Sequence, residues 1–194
     1  FKDKGLDFTC YTAVLDSDAV PPDLESAQKV AKELGLKLKV VKIKPEQIPK
    51  YLQKIVPLIE DSNVVKVGVA LTFYVACEMA RVDNCKVIFS GLGSEEIFAG
   101  YERHKNSANI NQECLSGLRK MYERDLYRDD VIIMDNNMEL RLPFLDIDLV
   151  NYALKIPGKY KIKSEITKYI LREIALDKGI PKEYAFRKKT AAQY

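Results

Sequence analysis

One segment of the 194-residue sequence combines residue types that could bind a charged ligand, the stretch from Ser90 to Tyr101. Its glycines, Gly91 and Gly93, would let backbone amides approach a ligand closely, and a helix beginning near Ser94 would present its N-terminal amides. This combination is typical of an anion site. The two glutamates that follow would repel a bare pyrophosphate, so a nucleotide complexed with Mg²⁺ fits better, because Mg²⁺ binds carboxylates together with phosphate oxygens.

The same acids also have a purely structural explanation. Ser94 could cap the helix, and Glu95 and Glu96 could complement the positive end of its dipole. Glu96 also stands where the dinucleotide fingerprint G-x-G-x-x-G requires glycine, which disfavours a nicotinamide dinucleotide. From these residues alone, a Mg²⁺-nucleotide site and an ordinary helix start both stay open.

Histidine and cysteine limit the remaining chemistry. The sequence has one histidine, His104, and four cysteines without a C-x-x-C pair. A single imidazole excludes metal sites that need two histidines, and any Ser-His-Asp or Cys-His mechanism would depend on His104. For His104, a role in the structure or in a substrate loop, without proton transfer, is favoured. Free cysteines are typical of a reducing compartment, so we expect a cytoplasmic protein.

Strand-like and helix-like segments alternate through the first half of the chain. Strands are predicted over 8–15, 36–43 and 85–90, and helices over 23–34, 46–59, 64–82, 112–128, 146–154 and 165–177. This order predicts an α/β fold with a parallel twisted sheet and helices on both faces over about 1–100, followed by a mostly helical half over about 105–194. Ligands of such sheets bind beyond the carboxyl ends of the strands, where the Ser90 loop lies.

Length and charge exclude other classes. A chain of 194 residues suits one domain, and a net charge of +3 is not that of a dedicated nucleic-acid binder. The apolar stretch 64–80 contains Lys66 and Glu78 and is too short for a convincing membrane span. We therefore expect neither a nucleic acid nor a membrane as partner.

Four segments, taken together, resemble the C-terminal synthetase domain of the asparagine synthetases, a family with the ATP-pyrophosphatase fold. They are 23–31, 90–101 with S-G-L-G-S-E-E, 138–146 with M-E-L-R-L-P-F-L-D, and 168–173 with K-Y-I-L-R-E. They follow the family's order and span nearly the whole chain. By this resemblance, residues 1–194 form one asparagine-synthetase-like domain, similar to a divergent branch that carries S-G-L-G.

The resemblance implies an ATP-dependent, amide-forming ligase that uses Mg²⁺. Such domains adenylate a small carboxylate, aspartate or an analogue, release pyrophosphate, and let ammonia attack the acyl-adenylate. The ammonia would be free or would come from a glutaminase domain or subunit, and a homodimer stays open. The family's phosphate loop, S-G-G-x-D-S, does not occur in the sequence and is expected to precede Phe1, together with the family's first strand. The family's amino-terminal glutaminase domain is absent from the sequence too, and whether the full-length chain has the loop and that domain is left open.

Residues of the family's site are matched position by position. The resemblance implies that Ser90 and Gly91 contact ATP and that Ala13 approximates a backbone contact to adenine. Glu95 stands where the family has the Asp that binds Mg²⁺ or pyrophosphate, so it is the expected metal ligand. Lys168 matches the lysine that stabilises the transferring phosphoryl groups. Glu95 and Lys168 are the expected catalytic residues.

Weaker matches concern the substrate and the tail. Asp130 is a substrate-pocket candidate, and Arg141 is another, although a structural salt bridge with Glu139 or Asp146 is favoured for it. The start of the family's tail segment is matched by Lys188, Lys189 and Gln193.

Two positions depart from the family pattern. Leu92 replaces a Glu that asparagine synthetases often carry and that is tied to adenylation. The family also shows an Arg near the sequence position that Val131 occupies here. Activation of aspartate itself is therefore left open. Two alternatives to the ligase stay open as well: a non-catalytic domain that keeps the fold for binding or assembly, and another enzyme of the same fold, such as an RNA-modifying one.

Overall fold

The computed structural model describes residues 1–16 and 21–187. Its strands are β1 (Thr9–Leu15), β2 (Lys37–Ile43), β3 (Val87–Phe89) and β4 (Glu139–Arg141). Its α-helices are α1 (Pro22–Glu33), α2 (Ile48–Ile59), α3 (Val64–Val82), α4 (Ser94–Ile97), α5 (Glu102–Lys105), α6 (Ile110–Arg119), α7 (Tyr127–Asp135), α8 (Ile147–Lys155), α9 (Gly158–Lys161), α10 (Tyr169–Asp177) and α11 (Lys182–Ala185). Short 3-10 turns cover Lys2–Lys4, Pro45–Gln47 and Pro143–Leu145, and a π-helical turn covers Tyr122–Leu126.

The described residues form two compact units. The first contains residues 1–16, 21–88 and 128–139, and the second contains residues 89–127 and 140–187. The chain therefore passes from one unit to the other within β3, again at the first residue of α7, and again within β4. The assignment of a single domain, divided near residue 100, stays a prediction.

In the first unit, β1 and β2 pair in parallel, from Thr9 opposite Lys37 to Leu15 opposite Ile43. α3 packs on both strands, α2 packs on α3, and α1 packs on β2. Burial follows the sequence pattern, because β2 alternates exposed lysines with half-buried apolar residues, as a strand with one wet face does. The largest wholly buried apolar side chains of this unit are Ile43, Ile55, Tyr74, Ile132 and Ile133.

β3 and β4 form a second small sheet. The Glu139 N–H donates to the Lys86 carbonyl over 2.8 Å, and the Ser90 N–H donates to the Arg141 carbonyl over 3.1 Å. Residue numbers rise along both strands, which is the pattern of a parallel pair. The predicted α/β fold with parallel strands is confirmed, and its strands are arranged as two small sheets.

The second unit is helical around an apolar centre. Its buried cluster contains Ile97, Phe98, Ala153 and Ile156, with Leu118, Phe144, Leu149, Val150, Ile170 and Leu171 packed against it. α4, α6 and α8 pack on one another, and α10 packs on α9 and α11. Two predicted helices differ from the observed ones. The helix expected over 112–128 ends at Arg119, and the helix expected over 165–177 begins only at Tyr169.

None of the helices in the described part of the chain is by itself long and apolar enough to cross a membrane. Residues 45–59 and 64–82 are long and apolar enough only as a pair, and that pair is bent by 109°.

Candidate active site

The glycine loop after β3 has one side that is closely packed and one that is open. Gly93 has a φ of 98°, and a Cβ added there would lie 2.5 Å from Leu145 Cδ2. A Cβ added at Gly91 would meet nothing within 4 Å. Because Gly93 is fixed against the 143–145 turn while Gly91 is exposed, the loop presents its Gly91 backbone to the surroundings. This is the side on which a ligand could approach the main chain.

Glu95 and Lys168, the two expected catalytic residues, are in direct contact. Lys168 Nζ donates to Glu95 Oε1 over 2.7 Å, and Ser94 Oγ donates to Glu95 Oε2 over 2.6 Å. The side chains of Glu95 and Lys168 are only 19% and 22% exposed. Ser94 also connects this pair to the glycine loop, since its N–H donates to the Gly91 carbonyl over 3.3 Å.

Gly100 fixes the position of Glu95. The Gly100 N–H donates to the Glu95 carbonyl over 2.7 Å. A Cβ at Gly100 would lie 2.7 Å from Glu95 Cγ and 2.9 Å from its Cα. The preceding residue, Ala99, has a positive φ of 59°. The last turn of the motif therefore closes onto Glu95 and holds its backbone in one place.

Ser90 and Arg141 meet through their backbones. The Ser90 N–H bonds the Arg141 carbonyl in the β3–β4 sheet, and Ser90 Oγ accepts from the Leu92 N–H over 3.3 Å. The Ser90 side chain thus shapes the turn that leads to Gly93. Arg141 is exposed at the end of β4.

Ala13 and Asp130 lie in the other unit. Ala13 is half-buried in the middle of β1, opposite Val41 of β2. Asp130 is exposed on α7, directly after the buried residues Arg128 and Asp129. The structure therefore brings Glu95 together with Lys168, and Ser90 with Arg141, within the second unit, while Ala13 and Asp130 belong to the first. Lys188, Lys189 and Gln193 lie outside the described residues.

Glu96 has a different role from Glu95, and the sequence did not predict this difference. Its side chain is wholly buried, and its Oε1 accepts from the Tyr101 hydroxyl over 2.8 Å and also from Arg124. Arg124 comes from the π-helical turn, a local distortion of the helix that follows α6. Burial and the adjacent Glu96 carboxylate raise the pKa of Tyr101. Glu96 is thus a buried structural residue. In the sequence, only the apolar residues Ile97 and Phe98 beside it indicate that it is buried.

His104 has the properties of a structural residue. It is buried, and its Nδ1 accepts from the Tyr101 N–H over 3.0 Å. Burial, together with the nearby Arg103 cation, lowers the pKa of His104 to about 4. The imidazole is therefore neutral near pH 7, in keeping with the role without proton transfer that the sequence favours.

A resident metal cluster is not found in the described part of the chain, where no group of three or more His, Cys, Asp or Glu side chains could hold an ion. A Mg²⁺ ion that arrives with phosphates needs only one or two carboxylates from the protein. Glu95 supplies one carboxylate next to a lysine, so the donor set fits a cation shared with a nucleotide. Cys10, Cys77, Cys85 and Cys114 are free thiols, and the cytoplasmic location stays a prediction.

Similarity to known proteins extends over nearly the whole chain. The family model described as asparagine synthase matches residues 3–114 and 104–194. A Methanocaldococcus jannaschii protein, provisionally named asparagine synthetase (glutamine-hydrolyzing) 1, is 35% identical over 89% of this chain and 39% of its own length. Human asparagine synthetase (glutamine-hydrolyzing) is 32% identical over 88% of this chain and 31% of its own length. The chain thus spans well under half the length of these relatives.

Proposed function

Because the chain belongs to the asparagine synthase family, we propose that it is the synthetase part of an ATP-dependent, amide-forming ligase. In this reaction a carboxylate oxygen attacks the α-phosphorus of ATP, and pyrophosphate leaves. Ammonia then attacks the acyl carbon of the acyl-adenylate, AMP leaves, and an amide remains. The relatives' names specify glutamine hydrolysis, so we propose glutamine as the source of the ammonia. Aspartate or an analogue is the proposed carboxylate.

The observation that carries this proposal is the contact between Glu95 and Lys168 beside the glycine loop. Adenylation requires little proton transfer, but it requires stabilisation of charge that develops on the phosphates. Lys168 supplies a positive charge that is four-fifths shielded from water, so its field is weakened less than that of an exposed lysine. A Cβ at the exposed Gly91 would meet nothing within 4 Å, so an anion has space to approach the main chain there.

Glu95 has two tasks in this scheme. Without nucleotide it neutralises Lys168, so the lysine side chain is already extended toward the site. With nucleotide, Glu95 would hold Mg²⁺, which supplies further neutralisation of the phosphate charge when it is bound. Lys168 is then free to turn from the carboxylate to the phosphates. Because the chain's own residues are placed in advance, little reorganisation is required.

Exchange of labelled pyrophosphate into ATP in the presence of aspartate tests the first step, with the full-length protein as the enzyme. We expect Lys168→Ala to lower the exchange rate by about 100-fold or more, because it removes a charge that contacts the phosphates. Lys178→Ala is the matched control, since Lys178 is an exposed lysine just beyond the other end of α10. Both variants should keep the helical circular dichroism of the parent.

Three results would decide between the functions. Exchange that depends on aspartate and on Lys168 supports the ligase. Exchange that survives Lys168→Ala removes the proposed role of that lysine. A full-length protein that binds no ATP and shows no exchange with any carboxylate contradicts the ligase. Leu92, where asparagine synthetases often have Glu, makes a panel of several carboxylates necessary.

A further inference from the structure

The segment that carries Lys168 has an unfavourable backbone. Ser164, Glu165 and Lys168 have positive φ values of 47°, 66° and 51°, and none of them is glycine. Lys163 and Ile166 exchange backbone hydrogen bonds of 3.2 and 2.9 Å, so Ser164 and Glu165 form a tight two-residue turn. Each left-handed residue of this kind is intrinsically disfavoured. Such conformations persist only where the surroundings hold them, and they concentrate at functional sites.

Arg172 is the side chain that holds this segment from inside α10. Its Nε donates to the Thr167 carbonyl over 2.8 Å, directly before Lys168. The backbone N–H of the same residue donates to the Lys168 carbonyl over 3.2 Å, which is an ordinary helical bond that does not depend on the side chain. The bond that the Arg172 side chain itself adds is the one to Thr167, and the planar guanidinium fixes its direction.

The same guanidinium also binds a second segment. Arg172 Nη1 donates to the carbonyls of Ala185 and Arg187 over 2.9 and 3.0 Å. An aromatic contact runs parallel to these bonds, since the Tyr169 and Phe186 rings lie 6.0 Å apart at 75°. Burial lowers the pKa of Arg172, yet a guanidinium stays charged. The charged side chain thus binds the carbonyl directly before Lys168 and two carbonyls of the segment 185–187.

We propose that Arg172 is a positioning residue for Lys168, and that it couples the segment 185–187 to the active-site lysine. This inference rests on the proposed function, because Lys168 is its target. Arg172 makes no contact with substrate in this scheme. It holds the strained turn, so that Lys168 starts from one direction and reaches Glu95. Docking of 185–187 on the same guanidinium then favours the arrangement in which Lys168 can act.

Kinetics of Arg172→Met and Arg172→Lys in the full-length protein test the proposal, again by pyrophosphate exchange. We expect Arg172→Met to lower kcat by about 10- to 100-fold with less than about a threefold change in KM for ATP, since a small displacement of a catalytic group reduces rate more than binding. Arg172→Lys should recover little, because an ammonium lacks the fork that reaches three carbonyls. Lys178→Met, at the exposed residue that directly follows α10, is the control.

A double-mutant comparison separates positioning from general support. In a Lys168→Met background, Arg172→Met should reduce the remaining exchange by less than about twofold, since the group it positions is gone. An equal loss of kcat in both backgrounds would show that Arg172 stabilises only the fold, and would overturn the proposal.

Amide hydrogen exchange gives a readout that does not need activity. We expect Arg172→Met to accelerate exchange about tenfold or more over residues 163–172 and 182–187, because charge-assisted hydrogen bonds to both segments are lost. An unchanged rate of amide hydrogen exchange over 163–172 would refute the positioning role even in a protein without ligase activity. If amide hydrogen exchange accelerates in the variant while the parent protein shows no pyrophosphate exchange, the ligase proposal alone fails.

Discussion

Replacing Gly93 by alanine probes the packed side of the glycine loop. At a φ of 98° an added Cβ would lie 2.5 Å from Leu145 Cδ2 and 3.3 Å from Phe144 Cβ. The left-handed backbone costs a non-glycine residue about 1–2 kcal/mol. The contact with Leu145 adds about 1–3 kcal/mol, as for other overpacked sites. We therefore expect Gly93→Ala to lower the free energy of unfolding of the second unit by about 2–5 kcal/mol.

Gly91→Ala is the matched control, two residues away in the same loop. A Cβ there meets nothing within 4 Å, and the residue has no positive φ. Its effect on the free energy of unfolding should stay within about 0.5 kcal/mol, as for an open surface position. Because the added methyl would project toward the proposed ligand, the same variant should weaken ATP binding. The two alanines thus separate loop stability from ligand access.

Urea denaturation followed by circular dichroism measures the loss, and amide exchange over residues 89–127 assigns it to the second unit. Both methods are needed, since two compact units need not unfold together. In the Gly93→Ala background, Leu145→Ala should remove the part of the destabilisation that comes from the contact with Leu145. The part that comes from the left-handed backbone should remain, so the coupling energy between the two substitutions should be about 1–3 kcal/mol. Equal destabilisation by Gly91→Ala and Gly93→Ala, or no coupling with Leu145, would refute the reasoning.

Two further predictions concern the interior of the second unit. Arg124→Met leaves the wholly buried Glu96 carboxylate without its cation and should lower the free energy of unfolding by about 3–5 kcal/mol in urea denaturation. Lys29→Met, which breaks an exposed pair with Glu25, should cost no more than about 1 kcal/mol. His104 has a folded-state pKa of about 4, below its unfolded value, so the unfolded state binds the proton first as pH falls. The stabilisation that the neutral His104 gives to the folded state is fully present above about pH 6.5. As the pH falls from about 6.5 to 4, the free energy of unfolding decreases by roughly 3 kcal/mol for this reason. In His104→Gln that part of the pH dependence of unfolding should vanish, and a slope equal to the parent's would contradict it.

Much of the fold could be predicted because its patterns are local. The lysine alternation of β2 predicts a strand at 36–43, and the observed strand is Lys37–Ile43. The apolar run at 64–82 predicts a helix, and α3 has those bounds, with the Asn63 side chain accepting from the N–H groups of Val65 and Lys66 at its start. The alternation and the apolar run are both local features of the sequence, so these elements require no knowledge of distant contacts.

The start of α10 could not be predicted for the opposite reason. Composition favours a helix from about Glu165, yet the helix begins at Tyr169 after a turn with left-handed residues. Carbonyl contacts made by Arg172 reach both Thr167 and Arg187, and no period in the sequence records them. Lys168 and Glu95 lie 73 residues apart, and the family resemblance named each of them for the site without predicting their contact.

The adjacent acids of the S-G-L-G-S-E-E motif have opposite fates, and burial explains the division. Glu96 is wholly buried and is held by Tyr101 and Arg124, so its charge is already neutralised by the fold. Glu95 keeps 19% of its side chain exposed and is neutralised by Lys168, which is itself the group expected to act on phosphates. A cation that arrives with a nucleotide can therefore compete for Glu95 without exposing an uncompensated charge in the core, whereas the same competition for Glu96 would break its buried bonds with Tyr101 and Arg124. Glu95→Gln should accordingly impair nucleotide chemistry with little loss of stability, and Glu96→Gln should do the reverse. If the two variants behaved alike in urea denaturation and in pyrophosphate exchange, the division of labour between these neighbours would be wrong.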